Sequence, residues 1–320
     1  MAWSEDNDQK PKEGWERSVL ERLAFEALRE QRRSRRWGVF FKLLAFGYLG
    51  LLLAAANPEW FEDGSIVDGK HTAVVDLRGV IADDSEASAS TVIAGLQDAF
   101  EAKGTAGVIL RINSPGGSPV QAGYIVEEIK RLRKEHPDTP LYAVITDMGA
   151  SGGYYVAVAA DTIYADRASL VGSIGVRMDS FGFVGALDKL GVERRLLTSG
   201  DHKGILDPFL PVKEGEVAHI QTLLDTIHQQ FIEIVKQGRG ERLKGGDEAL
   251  FSGLFWTGEQ ALKLGLVDQL ASVDYVAREV IGEDKLVNYT RKKDWLERFS
   301  DEMGTQLGVV FARWAQPRLL

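Results

Sequence analysis

The 320-residue chain has no cysteine, which excludes a disulfide framework, a thiolate metal site and a cysteine nucleophile. Basic residues are in the minority, because 38 Lys and Arg stand against 47 Asp and Glu. The net charge of −9 argues against a dedicated nucleic-acid-binding protein. With 44% hydrophobic and 27% charged residues, the composition is that of a globular chain long enough to bury a substantial core.

Long hydrophobic runs are rare, and the one that stands out is the 20-residue segment 37–56, WGVFFKLLAFGYLGLLLAAA. Its length matches that of a helix that crosses a hydrocarbon core about 30 Å thick. Lys42 is its single charge and lies near the start, where its stem can reach back to the head groups. The segment therefore predicts a transmembrane anchor over residues 37–56.

The charges on either side of this segment predict its orientation. Five arginines crowd the N-terminal side, whereas four acidic residues follow the segment before the first basic residue, Lys70. The positive-inside rule then places residues 1–36 in the cytoplasm and the rest of the chain outside it. A cleaved signal peptide is the alternative, since Ala54–Ala56 fits a cleavage site, but 36 residues before the apolar core is long for that role.

The remaining segments divide at composition shifts. Apolar residues at helical spacing predict a short amphipathic helix over 19–28. Residues 57–70 are punctuated by Asn-Pro and Asp-Gly and predict a linker, so the folded domain is expected over 71–290. The tail, 291–320, has the spacing of an amphipathic helix.

From His71 onward, short apolar strands alternate with helices. This alternation predicts an α/β domain with a largely parallel, buried sheet. The expected strands are 73–77, 107–112 and 141–146, and the helices that follow them are 90–103, 120–134 and 154–160. The longest helix of the domain is expected over 213–236, with one apolar face made by Val217, Ile220, Leu223, Leu224, Ile227, Phe231 and Ile234.

Two glycine-rich segments, 113–117 (NSPGG) and 149–153 (GASGG), each follow an apolar strand and open a helix. Such segments let the backbone approach a ligand closely and point several amides into one space, as an oxyanion or a phosphate requires. Neither has the form of a Walker A loop or of a dinucleotide fingerprint. Because ligand sites of parallel sheets gather at the carboxyl ends of the strands, the two segments predict one shared site.

Ser151 lies in the second segment among small neighbours, which predicts an exposed hydroxyl with the Gly152 amide beside it. A nucleophilic serine fits this position, and so does a serine that only caps the helix. The residues by themselves leave both interpretations open.

A nucleophilic serine needs a base, and the sequence leaves its identity open. None of the five histidines, which are His71, His136, His202, His219 and His228, has a recognisable triad context. His202 adjoins Lys203, so either could serve. A lysine acts as a base only if burial lowers its pKa from about 10.4.

Five motifs in fixed order resemble the bacterial signal peptide peptidase A family. They are NSPGG (113–117), MGASGGYYVAVAAD (148–161), VGSIGV (171–176), SGDHKG (199–204) and WTGEQALKLGLVD (256–268). Members of that family are membrane-anchored Ser-Lys peptidases that share a fold with the Clp protease proteolytic subunit and with crotonases. The resemblance covers residues 70–285.

This resemblance implies a Clp protease/crotonase-like α/β fold built from repeated strand-turn-helix units after one N-terminal transmembrane helix. At matching positions it implies that Ser151 is the nucleophile, Lys203 the general base and Ser173 the residue that orients the lysine amine. Gly117 and Gly152 would supply the oxyanion-hole amides. The family requires no metal ion and no organic cofactor.

The resemblance also implies a single-pass protein of the bacterial inner (cytoplasmic) membrane with its catalytic domain on the periplasmic side. Its substrates would be cleaved signal peptides and other membrane or unfolded proteins, and its partners other copies of itself, as a homo-oligomer, expected to be an octamer. In such assemblies the lysine of one subunit can approach the serine site of its neighbour. Tyr154 and Tyr155 are candidate lining residues of the substrate groove, with packing in the core as the alternative.

Three rival functions fit parts of the same pattern. One is a sister Ser-Lys peptidase devoted to a particular membrane protein. Another is a non-catalytic crotonase-fold scaffold that organises membrane partners. The third is a crotonase-type acyl-CoA enzyme, which is disfavoured because a domain outside the cytoplasm lacks ready access to coenzyme A.

Overall fold

The first described segment of the chain is one long helix. The computed structural model describes residues 15–56 and 69–291, and the chain divides after residue 66 into two compact units. Helix α1, Trp15–Ala56, contains both the amphipathic helix and the anchor predicted from the sequence. Within the described residues, no helix combines the length and the apolarity that a membrane span requires. The span over 37–56 therefore stays a prediction. The N-terminal 14 residues, most of the predicted linker and all but the first residue of the predicted tail lie outside the described residues.

The second unit begins with three strand-helix pairs and continues with shorter elements. The strands are β1 (His71–Arg78), β2 (Thr105–Ser114), β3 (Leu141–Ala150), β4 (Thr162–Ala165), β5 (Leu170–Gly172), β6 (Phe255–Thr257), β7 (Gln269–Leu270) and β8 (Leu286–Asn288). The helices are α2 (Ala89–Glu101), α3 (Pro119–Glu135), α4 (Gly152–Ala157), α5 (Val184–Leu190), α6 (Glu214–Arg239), α7 (Asp247–Leu250), α8 (Gly258–Lys263) and α9 (Val273–Tyr275), which runs into a π-helical turn, Val276–Ile281.

The strands form one sheet in which the order is β6-β5-β3-β2-β1-β8, with β4 pairing with β3 and β7. Every pair of strands is parallel except β5 and β6. The predicted α/β class with a largely parallel sheet is therefore confirmed. The predicted helices over 90–103, 120–134 and 213–236 correspond to α2, α3 and α6.

Strand β3 has two different neighbours along one edge. Residues 142–145 pair with β4, and residues 148–150 pair with β5. On its other edge β3 pairs with β2, and the register between them shifts after Ile112, so that Ser114 lies opposite Gly149. This irregularity separates the two halves of β3. The last three residues of β3 therefore lie between β2 and β5, at the carboxyl end of the sheet.

The main core lies on the face of the sheet that α2, α3, α4 and α6 cover, and a smaller one lies under residues 271–281. Helix α6 contributes to the main core only through its second half. Phe231, Val235 and Arg239, spaced four residues apart, are buried, whereas Val217 and Leu223 of the predicted apolar face are 47% and 46% exposed. The predicted apolar face of α6 is thus packed against the core in its second half and partly exposed in its first half.

A buried ion pair fastens the end of α6 to the sheet. The Arg239 side chain is 1% exposed and donates two hydrogen bonds to the Asp268 carboxylate, of 2.8 and 2.7 Å. Asp268 also accepts a 2.7 Å hydrogen bond from the Ile163 amide at the edge of β4. Burial raises the pKa of Asp268, but the hydrogen bonds from Arg239 and Ile163 outweigh it and hold that pKa below its ordinary value.

We expect Asp268→Asn to lower the free energy of unfolding by about 3 kcal/mol, because the buried Arg239 loses the negative charge that balances its own. The ion pair contributes stability that is present above the unfolded-state pKa of an aspartate, about 3.9, and is lost as the pH falls through the lower folded-state value. Urea unfolding between pH 7 and pH 3 measures both effects.

Asp247→Asn is the matched control, since Asp247 pairs with Lys236 of the same helix at the surface. This control should change the free energy of unfolding by less than about 1 kcal/mol. Equal losses in the two variants would contradict the role of the buried pair.

Candidate active site

Ser151 is the single residue that joins β3 to α4. The second glycine-rich segment is therefore not a loop: Gly149 and Ala150 end the strand, and Gly152 and Gly153 begin the helix. Ser151 has φ 50° and ψ −122°, a conformation that costs a non-glycine residue about 1–3 kcal/mol. Such strain persists only where the surroundings impose it, and it is typical of a serine held at a sharp strand-to-helix turn.

The Ser151 hydroxyl does not cap the helix that it precedes. Ser88 and Ser118 stand at the same position before α2 and α3, and their hydroxyls accept hydrogen bonds from the Thr91 and Gln121 amides. Within the described part of the chain, the Ser151 side chain makes no such bond. The interpretation of Ser151 as a mere helix cap is therefore wrong, and among the described residues its hydroxyl has no hydrogen-bond partner.

The first glycine-rich segment lies directly against Ser151. Gly116 has φ 96°, and a Cβ atom built on it would lie 2.5 Å from the Gly152 nitrogen and 2.7 Å from the Ser151 Cβ. Only a glycine allows this approach. The segment is held by the Ser114 hydroxyl, which accepts a hydrogen bond from the Gly116 amide and donates one to the Gly79 carbonyl. The two glycine-rich segments thus lie together, as a shared site would require.

Gly117 and Gly152 lie close together at this junction. Ile81 and Gly117 form a parallel β-bridge, in which the Ile81 amide donates to the Gly116 carbonyl and the Ser118 amide donates to the Ile81 carbonyl. The Gly117 amide takes no part in this bridge. As the first residue of α4, Gly152 has no intrahelical acceptor for its amide. A Cβ atom built on Gly152 would lie 3.2 Å from the Gly117 nitrogen. The Gly117 nitrogen therefore lies close to Gly152, the residue that follows Ser151.

Ser173 follows the end of β5 and lies beside the Ser151 turn. Because Ala150 pairs with Gly172, the Ser151 amide donates a 2.8 Å hydrogen bond to the Gly172 carbonyl, and Ser173 is the next residue. Ser173 also has a positive φ, 51°, and its amide donates a 2.7 Å hydrogen bond to the Leu254 carbonyl next to β6. The two serines thus occupy strained positions at the ends of neighbouring strands.

Lys203 is not brought into this cluster. It lies in residues 176–212, a segment that we call the arm, and its side chain is exposed. In the described structure, the hydrogen bonds and ion pairs of the arm have both partners within the arm, as in the bond from the Phe183 amide to the Pro208 carbonyl and the pair Arg194–Asp207. The structure therefore brings together Ser151, Ser173, Gly117 and Gly152, and leaves Lys203, like His202, in the arm.

The two tyrosines after Ser151 have different surroundings. Tyr154 is completely buried, and its hydroxyl donates a 2.8 Å hydrogen bond to the Leu266 carbonyl. Burial raises its pKa well above the ordinary value. Tyr155 is half-buried and packs on Phe231 with ring centroids 5.1 Å apart. Of the two interpretations offered for these tyrosines, packing in the core therefore holds for Tyr154.

A cavity of about 520 Å³ opens beside the same strand ends, on the opposite face of the sheet from the main core. Met148 and Leu170, which precede Ser151 and Ser173 by three residues in the sequence, line one side of the cavity. Residues 271–273 form its far wall. Its walls are mostly apolar, with the Asp147 and Asp166 carboxylates among the lining groups. Sequence reasoning missed this cavity, because the short strand β5 that forms one wall has no periodicity of its own.

Comparison with known proteins places this arrangement in a family. A family model described as peptidase family S49 matches residues 133–287. The chain is 31% identical over 269 residues to a signal peptide peptidase of Enterococcus faecium, covering 81% of this chain and 76% of that protein. It is 31% identical over 241 residues to protease 4 of Haemophilus influenzae, covering 74% of this chain and 38% of that protein.

Another similar protein is named as an antiporter and not as a peptidase. Over 188 residues the chain is 45% identical to a protein of Brucella abortus named Na(+)/H(+) antiporter NhaA. The match covers 59% of this chain but spans only a quarter, 25%, of that protein. The Enterococcus faecium relative, by contrast, is covered over 76% of its length, and the class that the comparison defines is that of peptidases. The chain belongs to peptidase family S49, the signal peptide peptidase A family.

We expect Gly116→Ala to lower the free energy of unfolding by about 1–3 kcal/mol, because a methyl group there meets the Gly152 nitrogen and the Ser151 Cβ. Urea unfolding measures the change. Gly123→Ala is the matched control, since Gly123 lies in α3 with nothing within 4 Å of its Cβ position. That control should raise stability by about 0.5–1 kcal/mol, and a stable Gly116→Ala would show that the close approach is absent.

Proposed function

We propose that the chain is a serine endopeptidase in which Ser151 is the nucleophile and Lys203 the general base. The observation that carries this proposal is the Ser151 hydroxyl, which has no hydrogen-bond partner among the described residues and lies at a strained turn beside Gly117 and Gly152. Membership of peptidase family S49 supports the same chemistry. Ser173 would orient the lysine amine, because its position next to the Gly172 carbonyl places it beside Ser151.

In the first half of the reaction, the neutral Lys203 amine accepts the proton of the Ser151 hydroxyl as its oxygen attacks the scissile carbonyl carbon. The amides of Gly117 and Gly152 stabilise the negative charge that develops on the carbonyl oxygen. The carbon–nitrogen bond then breaks, the leaving amine takes the proton from Lys203, and an ester to Ser151 remains.

In the second half, water attacks the ester and gives a proton to the Lys203 amine. The bond between the acyl carbon and the Ser151 oxygen breaks, and Lys203 returns the proton to that oxygen. The cycle consumes one water and one peptide bond. It needs no metal ion and no organic cofactor, in keeping with the resemblance.

We propose that the base is supplied by a second copy of the chain. The arm of one copy makes its polar contacts with itself and exposes large apolar side chains, among them Phe181 (76% exposed), Leu190 (75%) and Leu197 (96%). A surface of this kind fits burial against another protein. A lysine desolvated in such an interface favours its neutral form, which a general base requires. A homo-oligomer, which we expect to be an octamer, follows from the resemblance.

We propose cleaved signal peptides as the substrates, together with other membrane or unfolded proteins. Their apolar side chains fit the apolar walls of the cavity beside Met148 and Leu170. The proposed location is the bacterial inner membrane, with residues 37–56 as the anchor and the second unit on the periplasmic side. The hydrophobic run and the arginines before it support this location. The alternatives are a sister peptidase for a particular membrane protein and a non-catalytic scaffold.

The proposal predicts that the full-length protein in detergent hydrolyses a fluorogenic peptide with an apolar residue before the scissile bond. Ser151→Ala and Lys203→Ala should each lower kcat by at least about 10⁴-fold, because each removes a member of the catalytic pair. Lys189→Ala, in the same arm, is the matched control and should leave kcat unchanged. Hydrolysis that survives Ser151→Ala would contradict the proposed nucleophile, and the absence of hydrolysis by the wild type would favour the scaffold.

Mixing the two inactive variants tests whether the base comes from a second copy. If each site takes its serine from one copy and its lysine from another, unfolding and refolding an equal mixture should restore about a quarter of the wild-type activity. Each inactive variant refolded alone is the control. A mixture that stays inactive, in oligomers shown to contain both variants, would place the serine and the lysine of a site on one chain.

A further inference from the structure

Helix α6 contacts both of the segments that carry the candidate serines, and one of its contacts is made by a histidine without a role so far. His228 Nε2 lies 3.1 Å from the carbonyl oxygen of Ile174, the residue after Ser173. The His228 ring is half-buried. This is a side-chain hydrogen bond from the middle of a helix to the backbone of the turn that bears Ser173.

The chemistry of this contact fixes the protonation of one ring nitrogen. A carbonyl oxygen only accepts hydrogen bonds, so His228 Nε2 must carry the hydrogen. Both the neutral ring with its proton on Nε2 and the fully protonated ring can donate it. His228 Nε2 is thus a hydrogen-bond donor to the Ile174 carbonyl, and it is not free to take a proton from Ser151.

A second contact of α6 reaches the other serine. Phe231, three residues after His228 and on the same face of the helix, packs on Tyr155 of α4. The Tyr155 amide donates a 2.9 Å hydrogen bond to the Ser151 carbonyl. The two neighbouring positions of α6 therefore support the Ser151 turn and the Ser173 turn from one rigid element.

The Ser173 turn needs such support. Ser173 has φ 51°, which persists only where the surroundings impose it. Its amide is held by the Leu254 carbonyl, and the next glycine, Gly175, lies so close to Gly253 that a Cβ atom there would be 3.0 Å from the Gly253 Cα. These contacts restrain the turn from the β6 side, and the bond from His228 to Ile174 restrains it from the α6 side.

We propose that His228 is a positioning residue that holds the Ser173 turn in register with Ser151. The proposal rests on the proposed function, because Ser173 matters to catalysis only if it orients the lysine amine. It assigns to His228 no proton transfer and no contact with substrate. A glutamine side chain, which also carries an N–H donor, can replace the imidazole in this role.

The experiment compares His228→Ala, His228→Gln and the control His219→Ala, whose exposed histidine lies nine residues earlier in α6. We expect His228→Ala to lower kcat about ten- to a hundredfold with KM changed less than about twofold, as for a misplaced catalytic group. His228→Gln should retain kcat within about threefold and keep the pH profile of the wild type, and His219→Ala should match the wild type. A glutamine variant as impaired as the alanine variant would overturn the proposal, since the imidazole would then act chemically.

A second measurement is independent of catalysis. Amide hydrogen exchange of residues 172–176 should rise at least about tenfold in His228→Ala but not in His228→Gln, because the Ser173 amide loses its fixed partner when the turn loosens. The same comparison is made in the Ser151→Ala background. Unchanged exchange and unchanged kcat in His228→Ala would overturn the proposal. Raised exchange in a protein that stays active after Ser151→Ala would support the restraint on the turn and contradict the proposed nucleophile instead. If His228→Ala fails to fold, a His228→Gln variant that exchanges and turns over like the wild type decides in favour of the positioning role.

Discussion

The hydrogen bond from the Ser151 amide to the Gly172 carbonyl is the interaction on which the rest of the site depends. It closes the short ladder between β3 and β5, and it sets the ends of these strands side by side. Ser151 follows one strand end, and Ser173 follows the other. Because β3 pairs with β4 over its first half, only its last three residues are available to β5. Two serines separated by 22 positions are thus fixed relative to each other by main-chain geometry rather than by their own side chains.

Backbone strain and close packing are concentrated at this junction. Ser151 and Ser173 both have a positive φ, and Gly116 approaches Ser151 more closely than any residue with a Cβ atom could. Each of these features has a cost in stability. The buried core under α4 and the ion pair Arg239–Asp268 at the end of α6 offset it from outside the site. A rigid support that over-determines strained residues is what pre-organised catalysis requires.

Much of this arrangement could be predicted from the sequence, because it depends on patterns among residues that are close together in the chain. Alternating apolar strands and helices predicted the parallel sheet, and the two glycine-rich segments predicted a shared site with Ser151 in it. The pairing of β3 with two neighbours could not be predicted, since β5 has three residues and no periodicity. The partial exposure of the apolar face in the first half of α6 could not be predicted for a related reason: periodicity shows which residues share a face, but not whether another element covers it.

The structure of a single chain does not bring Lys203 to Ser151. The motif that contains Lys203 matched the family, yet the arm that carries it makes its hydrogen bonds and ion pairs within itself in the described structure. A local pattern identifies a residue type at a position, whereas in the proposed function the approach of Lys203 to Ser151 depends on contacts between chains. The apolar side chains exposed on the arm point to the same dependence.

The central claim is that Ser151 is an activated nucleophile, and covalent labelling tests it most directly. The folded wild-type protein is incubated with a peptidyl fluorophosphonate that carries an apolar residue next to the phosphorus, and the modified residue is located by mass spectrometry. The account predicts a single adduct on Ser151 that is absent from the urea-unfolded protein and from Lys203→Ala. An adduct on another residue of the folded protein, or equal labelling of the folded and unfolded chains, would contradict it.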